Sequence, residues 1–478
     1  MRIKKSLVLL ILPLVLAAND AKGIENLSLE KALELMKKNN LELKISRFDE
    51  EMKAYDNAVA KGNRYGKLDL VLEAARSNDA GNVFGFKIKS REASFGDFGF
   101  SDFMGAIGAG AQQANGDFGA FSQGLAQQGG DILALKPDDL NYPSARNHFQ
   151  TTLSYMVPLY TGGKLSQYDK ITNALHRMSQ LDTSKLRNEK IYEVTKTFYD
   201  ISLVHQYIIN LSNIIDNISR LEEIVINMKE EGFAKEIDLL EVQARKAEAQ
   251  SMLDQANFNK ELAYQFLSFL LDRNVDSIQY INQMVPIPEL ENEKVQHDNL
   301  DIQKAQLGLS ITDMAIELQE ANFLPEVGAK AEYGSADNNP LNRFFEKDFY
   351  TVGIQAKWNL FNGKIDKNNL ERAKVENMKV KEQVNLAKKG IYLKVKKTLT
   401  NIKSKEADIQ SLETQLEFAH RVYETYKEQY KEGISSISDV LIKQSKELEV
   451  LLKLLTAKND YNVKVFELKK IINEGETL

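Results

Sequence analysis

Four segments of the chain alternate apolar and polar residues with the two-residue period of a β-strand. In the first, Leu68, Leu70, Leu72 and Ala74 share one face and Lys67, Asp69, Val71 and Glu73 the other. In the second, Phe149, Thr151, Leu153, Tyr155 and Val157 alternate with Gln150, Thr152 and Ser154. The third sets Val327, Ala329, Ala331 and Tyr333 against Glu326, Gly328, Lys330 and Glu332. The fourth sets Tyr350, Val352, Ile354, Ala356 and Trp358 against Thr351, Gly353, Gln355 and Lys357. After each pair of strands the period changes. From Lys164 to Glu231 there is no Gly or Pro, and Ile191, Val194, Phe198, Ile201 and Val204 recur at steps of three and four, the stripe of a helix that packs on a partner. As one helix these residues would extend roughly 100 Å, more than a globular core needs.

The pattern is duplicated. Leu159, Tyr160 and Gly162 precede the long run, Gly232 ends it, and Asp238, Leu239 and Leu240 follow. At an offset of 201 residues the same order returns as Leu360, Phe361 and Gly363, then a run containing only Gly390, then Gly433 and Asp439, Val440 and Leu441. This divides the chain into a first repeat over 19–272, a linker over 273–298 with Pro286 and Pro288, and a second repeat over 299–478. Helices are predicted at about 28–62, 164–231, 237–272, 299–322, 364–432 and 437–473, so that each long helix is matched by two shorter, stacked ones. The linker and the C-terminal tail would form a belt where the short helices meet.

One part breaks the symmetry. Leu68 matches Val327 at an offset of 259, which places 58 extra residues between the first two strands. The insertion lies within about 77–147, whereas the equivalent stretch in the second repeat, 334–348, is short. It is crowded with Gly and Phe (Phe84, Phe86, Phe95, Phe98, Phe100, Phe103, Phe118, Phe121) and is read as a long surface loop. So many aromatics are poorly solvated if left free, which suggests that part of it packs over or inside a barrel mouth. The Gly105, Gly108 and Gly110 cluster has no strand feeding it and is read as flexible loop, not as a phosphate cradle.

The N-terminus bears on the compartment. Arg2, Lys4 and Lys5 precede an apolar stretch, Leu7 to Leu16, broken only by Pro13, and Ala17 and Ala18 supply a cleavage site. This is the pattern of a secretory signal peptide over 1–18, since an anchoring helix would need roughly 20 apolar residues. No later stretch is apolar for that long, so any membrane crossing falls to the strands. The chain has no cysteine, which excludes disulfides and thiolate chemistry. His148, His176, His205, His297 and His420 are scattered without metal-ligand spacing, and no cofactor or metal site is expected. A net charge of -6 without a concentrated basic stretch argues against nucleic acid as a partner. No catalytic constellation is visible, and an enzyme is not expected.

Strands of about 9 to 11 residues flanked by Tyr, Phe and Trp suit a membrane barrel with lipid outside and water inside. A half-buried soluble sheet gives the same alternation but leaves the signal peptide unexplained. Four strands fall short of the roughly eight that close a barrel, and an open edge in lipid would leave backbone groups unpaired. A barrel built from these strands is therefore shared between subunits.

The strand ends Val157-Pro158-Leu159-Tyr160-Thr161-Gly162-Gly163 and Trp358-Asn359-Leu360-Phe361-Asn362-Gly363 carry a resemblance, together with the two glycine turns and the opening Leu27-Ser28-Leu29-Glu30-Lys31-Ala32-Leu33. In this order and spacing they resemble the TolC-like outer-membrane efflux protein family. The resemblance implies an α+β membrane protein: a homotrimer whose 12-stranded outer-membrane barrel continues into a 12-helix periplasmic tunnel. It implies an outer-membrane exit duct of a Gram-negative bacterium, for efflux of small molecules or type I secretion. Its partners would be a periplasmic adaptor, an inner-membrane transporter of the RND, ABC or a similar class, and outer-membrane lipid.

The turns at Gly232 and Gly433, with Leu240 and Leu441, would form the periplasmic tip where the adaptor docks, and Gly162, Gly163 and Gly363 the strand-to-helix junctions. Asp238, Asp439 and Glu241 would ring the entrance with carboxylates that favour cations and hold it closed; either aspartate is equally a helix cap. Tyr430 matches a tyrosine that the family places three residues before the second turn glycine, where it bonds to the neighbouring helix pair. The family's basic residue after that glycine is missing, with Ser435 and Ser436 in its place, so closure would rest on other pairs such as Lys235 or Lys443 with the aspartates. A trimeric surface fibre with a barrel anchor and a coiled-coil stalk is the alternative. It fits poorly, because strands and helices alternate twice. A simple diffusion porin would devote most of its chain to strands.

Overall fold

A computed structural model describes residues 23–290, 295, 297–340 and 343–474. The expected signal peptide lies outside the described residues, as do parts of the linker and of the C-terminal tail. The elements run α1 (Leu29–Asn39), α2 (Leu41–Gly62), β1 (Lys67–Ser77), α3 (Ala80–Lys89), α4 (Phe100–Gln113), α5 (Phe118–Leu133), α6 (Asp138–Asn141), β2 (Arg146–Tyr160) and α7 (Lys164–Glu230). They continue with α8 (Glu236–Leu271), α9 (Leu300–Glu320), β3 (Glu326–Asp337), β4 (Asp348–Lys357), α10 (Ile365–Lys431) and α11 (Ile437–Ile471). Among the described residues no helix is long and apolar enough to cross a membrane.

The described residues form two compact units, each drawing on both repeats. The long helices are unbroken for a local reason: α7 and α10 span 67 residues each without an internal Pro. Each ends where a glycine takes up the left-handed conformation, Gly232 at φ 85° and Gly433 at φ 73°.

The strand-bearing unit comprises 55–173 and 312–376. Its four strands form one antiparallel sheet in the order β1-β2-β3-β4. The register aligns Leu70, Leu153, Tyr333 and Tyr350 in a row on one face, and Asp69, Ser154, Glu332 and Thr351 in the adjacent row on the other. The sequence alternation therefore becomes two continuous surfaces, one apolar and one polar. On the apolar surface Leu70, Leu72, Val352 and Ile354 are exposed in the single chain. Among the described residues the outer strands β1 and β4 each have one ladder edge unpaired.

The insertion departs from the expected loop. It folds into α3 to α6 with a short 3-10 turn at Phe95–Phe98, and the Gly105, Gly108 and Gly110 cluster lies inside α4. Alanines and apolar residues around those glycines supply the helix propensity that the glycines weaken. The second-repeat loop is shorter than 334–348, because β3 runs on to Asp337.

The helical unit comprises the described residues of 1–54, 174–311 and 377–478. Its core is a chain of clusters, as expected of helices that pack along their length. One joins α1, the middle of α7 and the end of α8 around Met36, Phe198, Leu267 and Leu271. Another joins α10 and α11 with the linker residues Val285, Leu290 and Val295.

The expected 28–62 helix is broken at Asn40, and the break has a function. Asn40 is buried; its Nδ2 donates to the Leu270 carbonyl at 2.9 Å, and its Oδ1 accepts from the Leu43 amide at 3.0 Å. Asn299 does the same, donating to the Ile471 carbonyl at 2.7 Å and accepting from the Ile302 amide at 3.1 Å. Each asparagine thus caps the start of one short helix and satisfies a carbonyl at the end of another.

Candidate functional site: the helix-turn tips and the strand-to-helix junctions

At the junctions, backbone geometry explains the glycines. Gly162 (φ 63°), Gly163 (φ 93°) and Gly363 (φ 67°) take the left-handed conformation. A Cβ on Gly162 would stand 2.7 Å from the Ala321 carbonyl oxygen and 2.9 Å from Leu324 Cβ, so the turn needs this residue twice over. Lys164 then opens α7 and pairs with Glu326 at 2.6 Å, tying the helix start to β3.

The two tips are built alike. In the first, the Phe233 amide donates to the Met228 carbonyl at 2.7 Å; in the second, the Ile434 amide donates to the Gln429 carbonyl at 2.8 Å. Both bonds are the long closure of a glycine-ended helix. Beyond each turn the aspartate occupies the third helical position and reaches back. Asp238 accepts from the Lys235 amide at 2.8 Å. Asp439 accepts from the Ser436 amide at 3.4 Å and from its hydroxyl at 2.6 Å while its own amide donates to that hydroxyl at 3.1 Å, a capping box. The hydroxyl and amide of Ser436 hold the Asp439 carboxyl below its usual range, with a weaker pull from Lys443. Glu241 accepts from Ser438 Oγ at 2.5 Å and so joins α8 to the start of α11.

Several expected roles change in this light. Lys235 meets Asp238 through its backbone amide, and Lys443 stands 5.0 Å from the Tyr426 ring centroid; among the described residues neither ammonium pairs with an aspartate. Ser435 donates to the Tyr426 carbonyl at 3.0 Å. The missing basic residue is thus replaced by turn chemistry. Tyr430 is buried in the tip core with Ile218, Val225, Val242 and Val440. Its hydroxyl has no hydrogen-bond partner among the described residues, and the expected bond to a neighbouring helix pair is not found there. Burial, with the Asp238 carboxylate adding to it, pushes its pKa up. Leu441 is only 8% exposed and packs in the same core, so it cannot offer a docking surface, whereas Leu240 is 51% exposed.

Sequence reasoning missed the tip's own apolar pair. Phe233 and Ile434 are 77% and 74% exposed, and they stand at the same 201-residue offset that revealed the glycines beside them. That offset was the available signal. Among the described residues no group of acidic or histidine side chains could hold a metal ion. The histidines instead pack or pair: His205 stacks on Tyr280 at 3.7 Å between centroids, and His420 meets Glu447 at 2.7 Å.

A two-faced four-stranded sheet is thus joined by glycine turns to duplicated long helices with capped tips. Known proteins share this architecture. Residues 293–474 match the family described as outer membrane efflux protein. Solved structures extend the likeness to nearly the whole chain. CusC is matched with a TM-score of 0.75 and 14% identity, over 94% of this chain and 92% of that one. The CmeC outer membrane channel of Campylobacter jejuni gives 0.74 and 16%, over 94% and 86%. VceC of Vibrio cholerae gives 0.72 and 13%, over 94% and 95%. No curated protein matches. The chain thus shares the fold of these outer-membrane channels, and its second repeat matches the outer membrane efflux protein family.

Proposed function

We propose that three copies of this chain close into a 12-stranded barrel and a 12-helix tunnel. The assembly would serve as the outer-membrane exit duct for substrates delivered by an inner-membrane transporter through a periplasmic adaptor. The observation that carries this reading is the pair of unpaired edges at β1 and β4 on a sheet with one continuous apolar face. In lipid such edges must be satisfied by another chain, and an antiparallel β1 to β4 junction repeated three times leaves none open. The helices carry a second mark of the same assembly. Along α2, Ile45, Phe48, Met52 and Val59 fall on one helical stripe and are exposed in the single chain, a seam that a neighbouring copy can cover.

In this assembly the tips face the periplasm. Phe233, Ile434 and Leu240 offer the adaptor apolar anchors, and threefold symmetry repeats Asp238, Asp439 and Glu241 as rings of negative charge at the entrance. Planar-bilayer conductance of the purified protein and of the Asp238→Ala/Asp439→Ala variant tests the entrance. Wild type is expected to select cations and the variant to lose most of that selectivity. Equal selectivity in the two would remove the aspartates from the entrance.

A further inference from the structure

The insertion has no counterpart in the second repeat, and its base is fixed to the end of the sheet, with α3 on the β2 face that carries His148 and Gln150 and a further tie at Asp337, which the register sets beside Phe149 on the other face. Phe86 of α3 stacks on His148 with centroids 4.1 Å apart and rings 4° from parallel. Lys89 of α3 donates to Gln150 at 3.3 Å. Just beyond α3, the Glu92 carboxylate receives both Arg146 and Lys347, and Lys347 also donates to Asp337 at 2.7 Å. Arg91 donates to the backbone carbonyls of Glu346 and Asp348. Arg146, His148 and Gln150 alternate with Phe149 and Thr151, so they belong to the polar face shared with Thr152 and Ser154. They also lie at the end of β2 opposite its junction with α7. In a closed barrel the polar face lines water, and α3 then stands inside the mouth.

What α3 holds there is a hairpin of unusual composition. α4 and α5 are joined by a short turn through Asn115 and Gly116, both at positive φ, and Asp117 is the one ionisable residue between 103 and 130. Phe100, Met104, Phe118 and Leu133 are exposed, Phe118 to 80%. Gly105, Gly108, Gly110 and the alanines around them leave a surface that another helix can approach closely. Left in water, that surface is costly; around a threefold axis it meets two copies of itself.

We propose that the insertion is a plug: α3 is clasped to the lumenal wall of each subunit, and the three α4–α5 hairpins pack on one another across the channel axis and narrow the exit. This rests on the trimeric barrel proposed above. It assigns the hairpin a partner, other copies of this chain, and makes cargo size a property of the insertion and not of the barrel.

The absence of cysteine makes the test direct. Phe118→Cys, exposed and outside any packed core, is oxidised in the detergent-purified protein and run with and without reductant. In parallel, single-channel conductance is compared between wild type and a variant in which 100–136 is replaced by a short Gly-Ser linker. The plug predicts reductant-sensitive cross-linked dimers of Phe118→Cys and, on deletion, conductance raised at least about twofold. A trimeric mass with no cross-link and unchanged conductance would overturn it. A bromolipid that quenches a fluorophore on Phe118→Cys would overturn it too, by placing the hairpin in the outer leaflet. A monomeric mass would instead strike down the barrel on which the plug rests.

Discussion

Two residues that carry no periodic signal join the short helices end to end. Asn40 and Asn299 stand 259 residues apart, and the carbonyls they satisfy, those of Leu270 and Ile471, stand 201 apart. Both offsets follow the duplication, yet a lone Asn in a polar stretch reads as any surface residue until its partner is known. Asn40→Ala or Asn299→Ala leaves a buried carbonyl and a helix start unsatisfied, and is expected to cost about 1 to 3 kcal/mol each. Thermal unfolding followed at a helix band should show this loss, and Asn→Asp should not rescue it, because a carboxylate keeps the cap but cannot donate to the buried carbonyl. The tip glycines were the opposite case, since positive φ at a helix end leaves few choices and Gly232 and Gly433 announced themselves.

Glu92 brings a pH dependence at the same scale. Burial raises its pKa, but the bonds from Lys347 and Arg146 outweigh this and hold it below the usual carboxylate range. A depressed pKa gives an anchorage that is fully present above the ordinary carboxylate value and is lost as pH falls through the lowered one. The groups facing it are Arg146 from β2, Lys347 beside β4 and, through Lys347, Asp337 at the end of β3. Protease nicking of the insertion should therefore rise in acid, and Glu92→Gln should show the acid pattern already at neutral pH. A flat pH profile in wild type would remove this clasp from the account.

Among the elements, those with a strong period were legible to within a few residues. The long helices and all four strands fall where alternation and glycine stops placed them. The insertion was not legible, because Gly and Ala in α4 and α5 blur the helical stripe and Phe spacing alone does not distinguish a helix from a loop. The lysine pairing expected at the tip failed for a related reason: sequence spacing brings Lys235 near Asp238 but does not say whether the ammonium or the amide makes the contact.

The exposed seam of α2 gives the element-scale prediction. Phe48 and Met52 are 65% and 57% exposed in one chain, and burial against a neighbouring copy would contribute about 1.5 to 3 kcal/mol for each side chain. Phe48→Glu/Met52→Glu removes that gain and would place charge in the interface. The variant is expected to keep its helical circular dichroism while losing oligomer mass. Retention of full mass would mean that the seam faces lipid-free solvent and not a subunit.

At the scale of the whole molecule, the sequence carried the fold because duplication, strand period and junction glycines all pointed to one architecture. What lay beyond its reach were contacts between separated residues, such as the buried Tyr430 hydroxyl with no bond among the described residues and the stacking of Phe86 on His148. The unmade bonds and bare surfaces of the single chain, at β1, β4, α2 and the tips, are the places where assembly would supply partners. The most direct measurement is the mass of the detergent-purified protein by light scattering, taken on the same sample used for channel recording. The account predicts three chains per particle and discrete conducting steps. A single chain per particle, or a trimer that never conducts even with α4–α5 deleted, would contradict it.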